Sequence, residues 1–201
     1  MQDVLLSTTY FGQVQWYQKL HRAEYVQIER WESFQKQTYR NRCLIATTQG
    51  IQALTVPIER KSVNYIKDIR ISDHGNWRHL HWNALQSAYG ESPFFEYYQD
   101  DIRPFFEQRW DYLLDFNEAI RAKMCDLIDI QPKVRLTEEF TTTVNKYKDY
   151  RMAIRPKNPE ADPDFDPKPY YQVYQQKHGF LSNLSILDLL FNMGPESIFY
   201  L

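Results

Sequence analysis

The sequence has few glycines and cysteines and no long apolar run. Its 201 residues include 6 glycines and 2 cysteines, Cys43 and Cys125. Two cysteines cannot form the disulfide framework of a small secreted protein, so we expect buried, reduced thiols. The first apolar run is shorter than the roughly 7–15 residues of a signal peptide, and no run approaches the roughly 20 that span a membrane. These absences predict a cytoplasmic protein without a membrane span.

Neither sign of charge is in excess, and the familiar catalytic motifs are missing. The chain has 24 Lys and Arg against 26 Asp and Glu, for a net charge of -2. Without a basic field, nucleic acid is not an expected partner. No GxSxG, HExxH, CxxC or Walker motif occurs, and no His, Cys, Asp or Glu set has zinc or EF-hand spacing. The sequence therefore predicts no metal site and identifies no cofactor.

Bulky aromatic residues are abundant. Aromatic side chains make up 16% of a chain whose hydrophobic fraction is 43%. This composition is typical of a globular protein, and the length suits one domain over residues 1–201 with its own core. The aromatic residues can fill that core, or they can contact flat or sugar-like ligands.

The first 28 residues predict a βαβ unit. Residues 4–9 read as a buried strand, 12–21 as a helix with Val14, Tyr17 and Leu20 on one face, and 25–28 as a second strand. A unit of this kind joins parallel strands by a right-handed crossover. The sequence therefore predicts an α/β fold with a parallel or mixed sheet in a three-layer arrangement with flanking helices.

Further segments follow from periodicity and proline placement. Strands are predicted at 51–58, 66–71 and 133–140. Helices are predicted at 77–89, from Pro93 to Pro104, from Pro104 to residue 128, and at 184–191. Ser182 or Asn183 is the predicted N-cap of the last helix. The prolines between 141 and 169 predict an excursion over the surface that adds no new core. The apolar end, 198–201, is expected to pack back on the protein.

A cationic segment is the first candidate site. Lys36, Arg40, Asn41 and Arg42 lie in a stretch, 35–42, that has cations and amides and no acid. Arg40 and Arg42 are two residues apart, so an extended backbone would point both the same way. Guanidinium groups bind phosphate or carboxylate through paired hydrogen bonds. The segment predicts an anionic small-molecule ligand, such as a nucleotide or sugar nucleotide, or else a solvated surface.

Two other segments could supply catalytic groups. His81 falls on the same face of the 77–89 helix as Trp77, where it is either a core histidine or a general base at a pocket rim. Tyr10 lies in the turn after the first strand, and Glu29 ends the second strand. Ligands of open α/β sheets bind beyond such strand ends, so Tyr10 and Glu29 could contact a ligand there.

Five stretches of the sequence occur in a distinctive order and spacing. They are LLSTTYFGQVQWYQKL at 5–20, YRNRC at 39–43, LTVPI at 54–58, IRISDHGNWRHLHWNALQSAYGESPFF at 69–95 and GFLSNLSILDLLFNMGPESIFYL at 179–201. Together they resemble the WbqC-like protein family, and the tail is similar to that of members from Bacteroidetes. One departure is Ser7-Thr8-Thr9-Tyr10, where many relatives read Gln-Pro-Thr-Tyr.

The resemblance implies a setting and a set of positions. Members occur among genes for bacterial surface polysaccharide, including O-antigen, which suggests a transferase that modifies an activated amino sugar by acyl or aminoacyl transfer. The positions best defined in the family correspond to Tyr10, Arg40, Asn41, Arg42, Trp77 and His81. The N-terminal half also looks like nucleotidylyltransferase domains, but their paired histidines are absent.

Three classes of function stay open at this point. In the first, the cations hold a phosphorylated sugar, His81 is the base, and Tyr10 or Glu29 orients the acceptor. In the second, the same cations serve a non-catalytic nucleotide- or metabolite-binding module. In the third, the aromatic C-terminus docks on a partner chain.

Overall fold

A small parallel sheet forms the centre of the fold. The structure is a computed structural model that describes residues 3–59, 65–142 and 147–201. The strands are β1 (Val4–Ser7), β2 (Val26–Glu29), β3 (Arg42–Thr47), β4 (Gly50–Thr55), β5 (Val134–Leu136) and β6 (Lys148–Asp149). The central sheet has the order β5-β2-β1-β6 with every pair parallel, whereas β3 and β4 form a separate antiparallel hairpin. The α/β prediction is confirmed.

Helices cover the sheet and fill the middle of the chain. They are α1 (Val14–Arg22), α2 (Trp77–Tyr89), α3 (Phe95–Ile102), α4 (Pro104–Glu107), α5 (Leu113–Ile128), α6 (Gln175–His178) and α7 (Ile186–Met193), with 3-10 helices at Ile66–Asp68 and Gly194–Tyr200. The predicted βαβ unit is present as β1-α1-β2, in register from Val4 opposite Val26 to Ser7 opposite Glu29. All four residues of β1 are buried, as expected for a parallel strand covered on both faces.

The prediction of a strand over 66–71 is wrong for its first half. Residues Ile66–Asp68 form a 3-10 helix, and only Arg70 and Ile71 make β-bridges. Ile66 and Ile69 are both buried. Their spacing of three suits a 3-10 turn, in which positions i and i+3 lie on the same side. The alternation in the sequence was therefore a misleading indication of a strand.

The long helix predicted from Pro104 to residue 128 is divided. Helix α4 ends at Glu107, and α5 begins at Leu113 after the extended residue Tyr112. The Leu113 backbone N–H donates to the Ile69 carbonyl over 2.9 Å. An antiparallel β-bridge between Arg70 and Tyr112 holds the residue before α5 against the same segment. Pairing with the 69–71 segment thus interrupts the helix.

The proline-rich segment contributes to the sheet as well as to the surface. Strand β6 pairs with β1, and Tyr150, Ala153 and Ile154 just after it are buried in the main hydrophobic cluster. The start of this segment therefore joins the main core, and the sequence had not predicted that contribution. Farther along, Asp162 forms a buried ion pair with Lys19 of α1, which ties the segment to the helix.

The C-terminal region packs back on the protein, as predicted. All residues of α7 up to Asn192 are buried, and Leu201 is 4% exposed. The α7 cap is Ser185, whose side chain accepts from the Leu187 N–H, instead of Ser182 or Asn183. The buried Asp188 carboxylate accepts hydrogen bonds from Tyr89, Tyr170 and Gln172, and so joins α2, α7 and the segment before α6.

Candidate functional site

A cleft of about 560 Å³ opens at the carboxyl end of the parallel sheet. It combines aromatic, charged and polar walls. The residues that line it are Trp31, Glu32, Ser33, Gln35, Arg40, Tyr65, Phe140, Asp149, Arg151 and Met152. Several lie a few residues beyond strand ends: Trp31 after β2, Phe140 after β5, and Arg151 after β6.

Sheet topology explains the position of the cleft. The chain proceeds from β1 to β2 to β5 on one side, and then crosses to place β6 on the other side of β1. Ligands of open α/β sheets bind beyond the carboxyl ends of the strands where the strand order reverses direction. The boundary between β1 and β6 is such a place, and Asp149 is the last residue of β6.

A buried ion pair forms one part of the cleft floor. Arg40 Nε donates to Glu32 Oε1 over 2.8 Å, and Arg40 Nη2 donates to Glu32 Oε2 and, over 2.9 Å, to Ser7 Oγ. The side chains of Arg40 and Glu32 are 5% and 8% exposed. Paired hydrogen bonds of this kind offset the cost of removing both charges from water. Ser7 is the last residue of β1, so the pair fixes the 32–40 segment to the sheet.

A second charged cluster completes the floor. The Arg151 guanidinium bonds both carboxylate oxygens of Asp149, and its Nη1 lies 3.4 Å from Glu29 Oε2. Glu29 is fully buried at the end of β2, where it also accepts from Thr137 Oγ1 over 2.7 Å. Burial alone would lower the pKa of Arg151, but Asp149, Glu29 and Glu32 outweigh it and raise that pKa. Arg151 therefore stays charged at neutral pH.

Aromatic side chains form the upper walls. The Trp31 indole N–H donates to the Thr137 carbonyl over 3.2 Å, and its ring meets Tyr65 edge-on with centroids 6.2 Å apart. The Phe140 ring packs against the Arg151 guanidinium, 5.4 Å from ring centroid to carbon. Aromatic faces above paired hydrogen-bonding groups suit a ligand with both an apolar face and polar substituents.

The structure brings two of the predicted site residues to this cleft. Arg40 lines it, and Glu29 supports it from behind through Arg151. Arg42 does not accompany Arg40, because Arg40 lies in a turn while Arg42 begins β3 and donates from Nε to Thr55 Oγ1. The expectation that an extended backbone points both arginines the same way is therefore wrong. Lys36 is exposed and does not line the cleft.

The amide of Asn41 has a bond to the backbone. Asn41 Nδ2 donates to the Val56 carbonyl over 2.8 Å, and the Val56 N–H donates to the Asn41 carbonyl over the same distance. Asn41 is 6% exposed. These bonds hold the end of the β3-β4 hairpin against the turn that carries Arg40.

Tyr10, Trp77 and His81 lie together in the aromatic core. The Tyr10 hydroxyl and His81 Nδ1 are 2.9 Å apart, and the Trp77 ring meets His81 edge-on with centroids 5.2 Å apart. None of the three lines the cleft, and His81 is 6% exposed. Burial lowers the pKa of His81, and a hydrogen bond with the Thr55 backbone raises it by less, so that the pKa is about 4. His81 is therefore neutral at pH 7.

Sequence reasoning did not find most of the cleft residues. Trp31, Tyr65, Phe140 and the Asp149–Arg151 pair come from distant parts of the chain and meet only in the folded protein. Trp31 follows the second predicted strand and Phe140 is the last residue of the strand predicted at 133–140, so both could have been found from their place at strand ends. Asp149 and Arg151 could not, because β6 is two residues long and lies beside a proline-rich segment.

The described residues show neither a metal cluster nor a membrane-spanning helix. Within 3–59, 65–142 and 147–201, no three His, Cys, Asp or Glu side chains are placed to hold a metal ion. Over the same ranges no helix has the length and apolarity to cross a membrane.

Removal of Arg40 should destabilise the protein strongly. Arg40→Met leaves the Glu32 carboxylate buried without its partner, and breaking a buried pair costs about 3–5 kcal/mol. The exposed pair of Arg103 and Glu107 is a matched control, because Arg103→Met should cost about 0–1 kcal/mol. Chemical denaturation measures both. Adding Glu32→Gln to Arg40→Met should recover part of the loss. Equal losses for Arg40→Met and Arg103→Met would contradict the assignment of a buried pair.

His81 should make stability depend on pH. Its folded-state pKa is about 4, against 6.5 unfolded, so between these values the unfolded chain binds a proton that the folded chain does not. Stability therefore falls as the pH falls through this window, by about 3 kcal/mol from this group. The difference in unfolding free energy between wild type and His81→Gln should shrink from pH 6.5 to pH 4. A constant difference would show that His81 is not buried as described.

Comparison with known proteins identifies the family of the chain. The profile of the WbqC-like protein family matches residues 8–158 and 160–200. The uncharacterized protein Rv1507c of Mycobacterium tuberculosis is 28% identical over 195 residues, an alignment that covers 84% of this chain and 83% of that protein. No solved structure matches the chain significantly. Because the family profile covers nearly the whole sequence, the chain belongs to the WbqC-like protein family.

Proposed function

We propose that the protein is an enzyme of bacterial surface polysaccharide biosynthesis that binds an activated amino sugar in the Trp31 cleft, the cavity defined above. The observation that carries the proposal is the combination of Trp31, Tyr65 and Phe140 with paired charges at the carboxyl end of the sheet. Membership of the WbqC-like family supports the polysaccharide setting.

The walls and floor of the cleft suit a sugar in complementary ways. The apolar face of a pyranose ring packs on aromatic side chains, while hydroxyl and amino groups need both donors and acceptors. Ser33 and Gln35 offer both at the rim, and the carboxylates of Glu32 and Asp149 accept at the floor. An amino sugar would therefore contact both the aromatic walls and the polar groups of the rim and floor.

The reaction class that we propose is acyl or aminoacyl transfer to the sugar amine. The amine nitrogen attacks the carbonyl carbon of an activated acyl donor, such as a thioester, and forms an amide bond. The bond from that carbon to the sulfur breaks, and the sulfur leaves with the electron pair. The amine must lose a proton, and Asp149 is the cleft carboxylate that is open enough to take it, with 21% of its side chain exposed.

The assignment of the base differs from the expectation based on sequence. His81 is enclosed by Tyr10, Trp77 and Phe106 and does not line the cleft. We therefore propose that His81 and Tyr10 stabilise the core under the β3-β4 hairpin, and that groups on the cleft floor contact the substrate. Intact activity in His81→Gln, together with the same Michaelis constant, would support this division.

One observation favours a non-catalytic binding module as the second candidate. The described cleft lining contains no His, Cys or Lys, and both of its arginines are bonded to carboxylates. Such a lining offers recognition without an imidazole, thiol or amine side chain. A binding module would hold the same sugar but would not convert it.

Thermal-shift and turnover measurements test the proposal together. A sugar nucleotide that carries an amine should raise the melting temperature, since a ligand at 100 times its dissociation constant stabilises by about 2.7 kcal/mol. Trp31→Ala should abolish the shift, whereas Tyr97→Ala, which truncates an aromatic side chain that is 75% exposed, should preserve it.

Mass spectrometry of the sugar after incubation with acyl thioesters then separates the two candidates. An acylated product that Trp31→Ala does not form supports the enzyme. Binding without any product favours the module. A shift that Trp31→Ala retains, or no shift with any amino-sugar nucleotide, would contradict the choice of cleft.

A further inference from the structure

The ion pair on the cleft floor uses only part of the Arg40 guanidinium. A guanidinium group has one N–H donor on Nε and two on each terminal nitrogen. Arg40 Nε donates to Glu32 Oε1, and Nη2 donates to both Glu32 Oε2 and Ser7 Oγ. These bonds use the donor of Nε and both donors of Nη2. The donors of Nη1 have no partner among the residues that the structure describes.

The unused donors open onto the cleft. Arg40 is 4% exposed, and it is one of the residues that line the cavity. Its Nη1 keeps contact with solvent, whereas the unbonded Nε of Arg30 and Nη2 of Arg78 are sealed off. Because Arg40 meets solvent at the cleft, Nη1 faces whatever occupies that cavity. A ligand that covered Nη1 without accepting from it would leave a charged donor buried and unsatisfied, which is costly.

The bonds that Arg40 already makes leave no edge for the paired recognition of an anion. A carboxylate or phosphate binds a guanidinium by accepting parallel hydrogen bonds from two of its nitrogens. Glu32 occupies the edge formed by Nε and Nη2, and Ser7 takes the other donor of Nη2. Only Nη1 remains, so Arg40 suits a single acceptor oxygen better than an anionic group.

The charge of the cleft favours the same kind of ligand group. Among the described lining residues the cations are Arg40 and Arg151, and the anions are Glu32 and Asp149. Each cation is bonded to one of these carboxylates, and the buried Glu29 adds a negative charge behind Arg151. The lining thus has no net positive charge with which to attract an anion. An uncharged acceptor enters such a site more easily, because burying a charge costs more than burying a polar group.

We infer that Arg40 Nη1 is the donor that recognises the carbonyl oxygen of an uncharged acyl group, such as that of an N-acetylated sugar. A carbonyl oxygen accepts and has no hydrogen of its own, whereas a hydroxyl group brings a hydrogen that also needs a partner. This rests on the proposed function and adds the acyl group as the part of the ligand that the floor recognises. In acyl transfer the same oxygen gains negative charge when the amine attacks the carbonyl carbon, and a donor placed there favours that step.

NMR titration of the full chain with three uncharged probes tests the inference. N-acetylglucosamine has the carbonyl oxygen, N-thioacetylglucosamine has sulfur, a weaker acceptor, in its place, and glucose has a hydroxyl group instead of the whole amide. We expect N-acetylglucosamine to bind about tenfold more tightly than the other two, because they lose the charge-assisted bond. It should shift the guanidinium ¹⁵N resonances of Arg40 and leave those of Arg103, an exposed arginine, in place.

Arg40→Lys separates recognition of the carbonyl from stability. The lysine keeps a positive charge beside Glu32 but lacks Nη1. The variant should lose the preference of about tenfold for N-acetylglucosamine over its sulfur analogue. Arg103→Lys is the matched control and should keep that preference. A loss of stability alone does not change a ratio of affinities measured on folded protein. If Arg40→Lys does not fold, the titration of wild type still tests the inference.

The outcomes separate this inference from the proposed function. If N-acetylglucosamine binds and Trp31→Ala abolishes its binding, the proposed cleft stands. The inference is nevertheless overturned if the sulfur analogue or glucose then binds equally well, if the Arg40 resonances stay in place, or if Arg40→Lys retains the preference. Failure of all three probes to bind overturns the inference, and the thermal-shift test with amino-sugar nucleotides then judges the cleft by itself. Binding that survives Trp31→Ala overturns both.

Discussion

The buried ion pair between Arg40 and Glu32 is the interaction on which the site depends. It links the end of β1, through Ser7, to the turn that leads into the β3-β4 hairpin. The Arg40 carbonyl also accepts from Asn117 of α5, so the same residue connects the sheet, the hairpin and the helical layer. Burying charges is costly, and only a well-aligned ion pair with further hydrogen bonds offsets the loss of hydration. The pair therefore fixes one part of the cleft floor in position.

The second charged cluster has a similar role on the other side of the sheet. Glu29 and Asp149 end two strands that do not touch each other, and Arg151 bonds both. Because the strands are short, these side-chain bonds add to a limited number of backbone bonds. The two ion-paired clusters thus form the floor of the cleft, and the aromatic side chains form its walls. Such preorganisation reduces the ordering cost of binding.

Local patterns in the sequence were enough for the βαβ unit, because β1 and α1 have regular and fully buried apolar positions. They misled at 66–71, where a spacing of three coexists with an alternation of two. They also gave no indication of β6, whose two residues are held by pairing with β1. Arg40 was found from its chemistry alone, but its separation from Arg42 depends on a turn. Trp31 is brought to the same cleft as Asp149 and Arg151 only by non-local contacts.

The claim that a ligand occupies the Trp31 cleft, and not the surroundings of His81, can be tested by the indole N–H resonances of the protein. Trp31 lines the cleft, whereas Trp77 packs on His81. In ¹⁵N-resolved NMR spectra, titration with an amino-sugar nucleotide should shift the Trp31 indole resonance and leave that of Trp77 in place. A shift of Trp77 with Trp31 unchanged would contradict the account and place the ligand at the aromatic core.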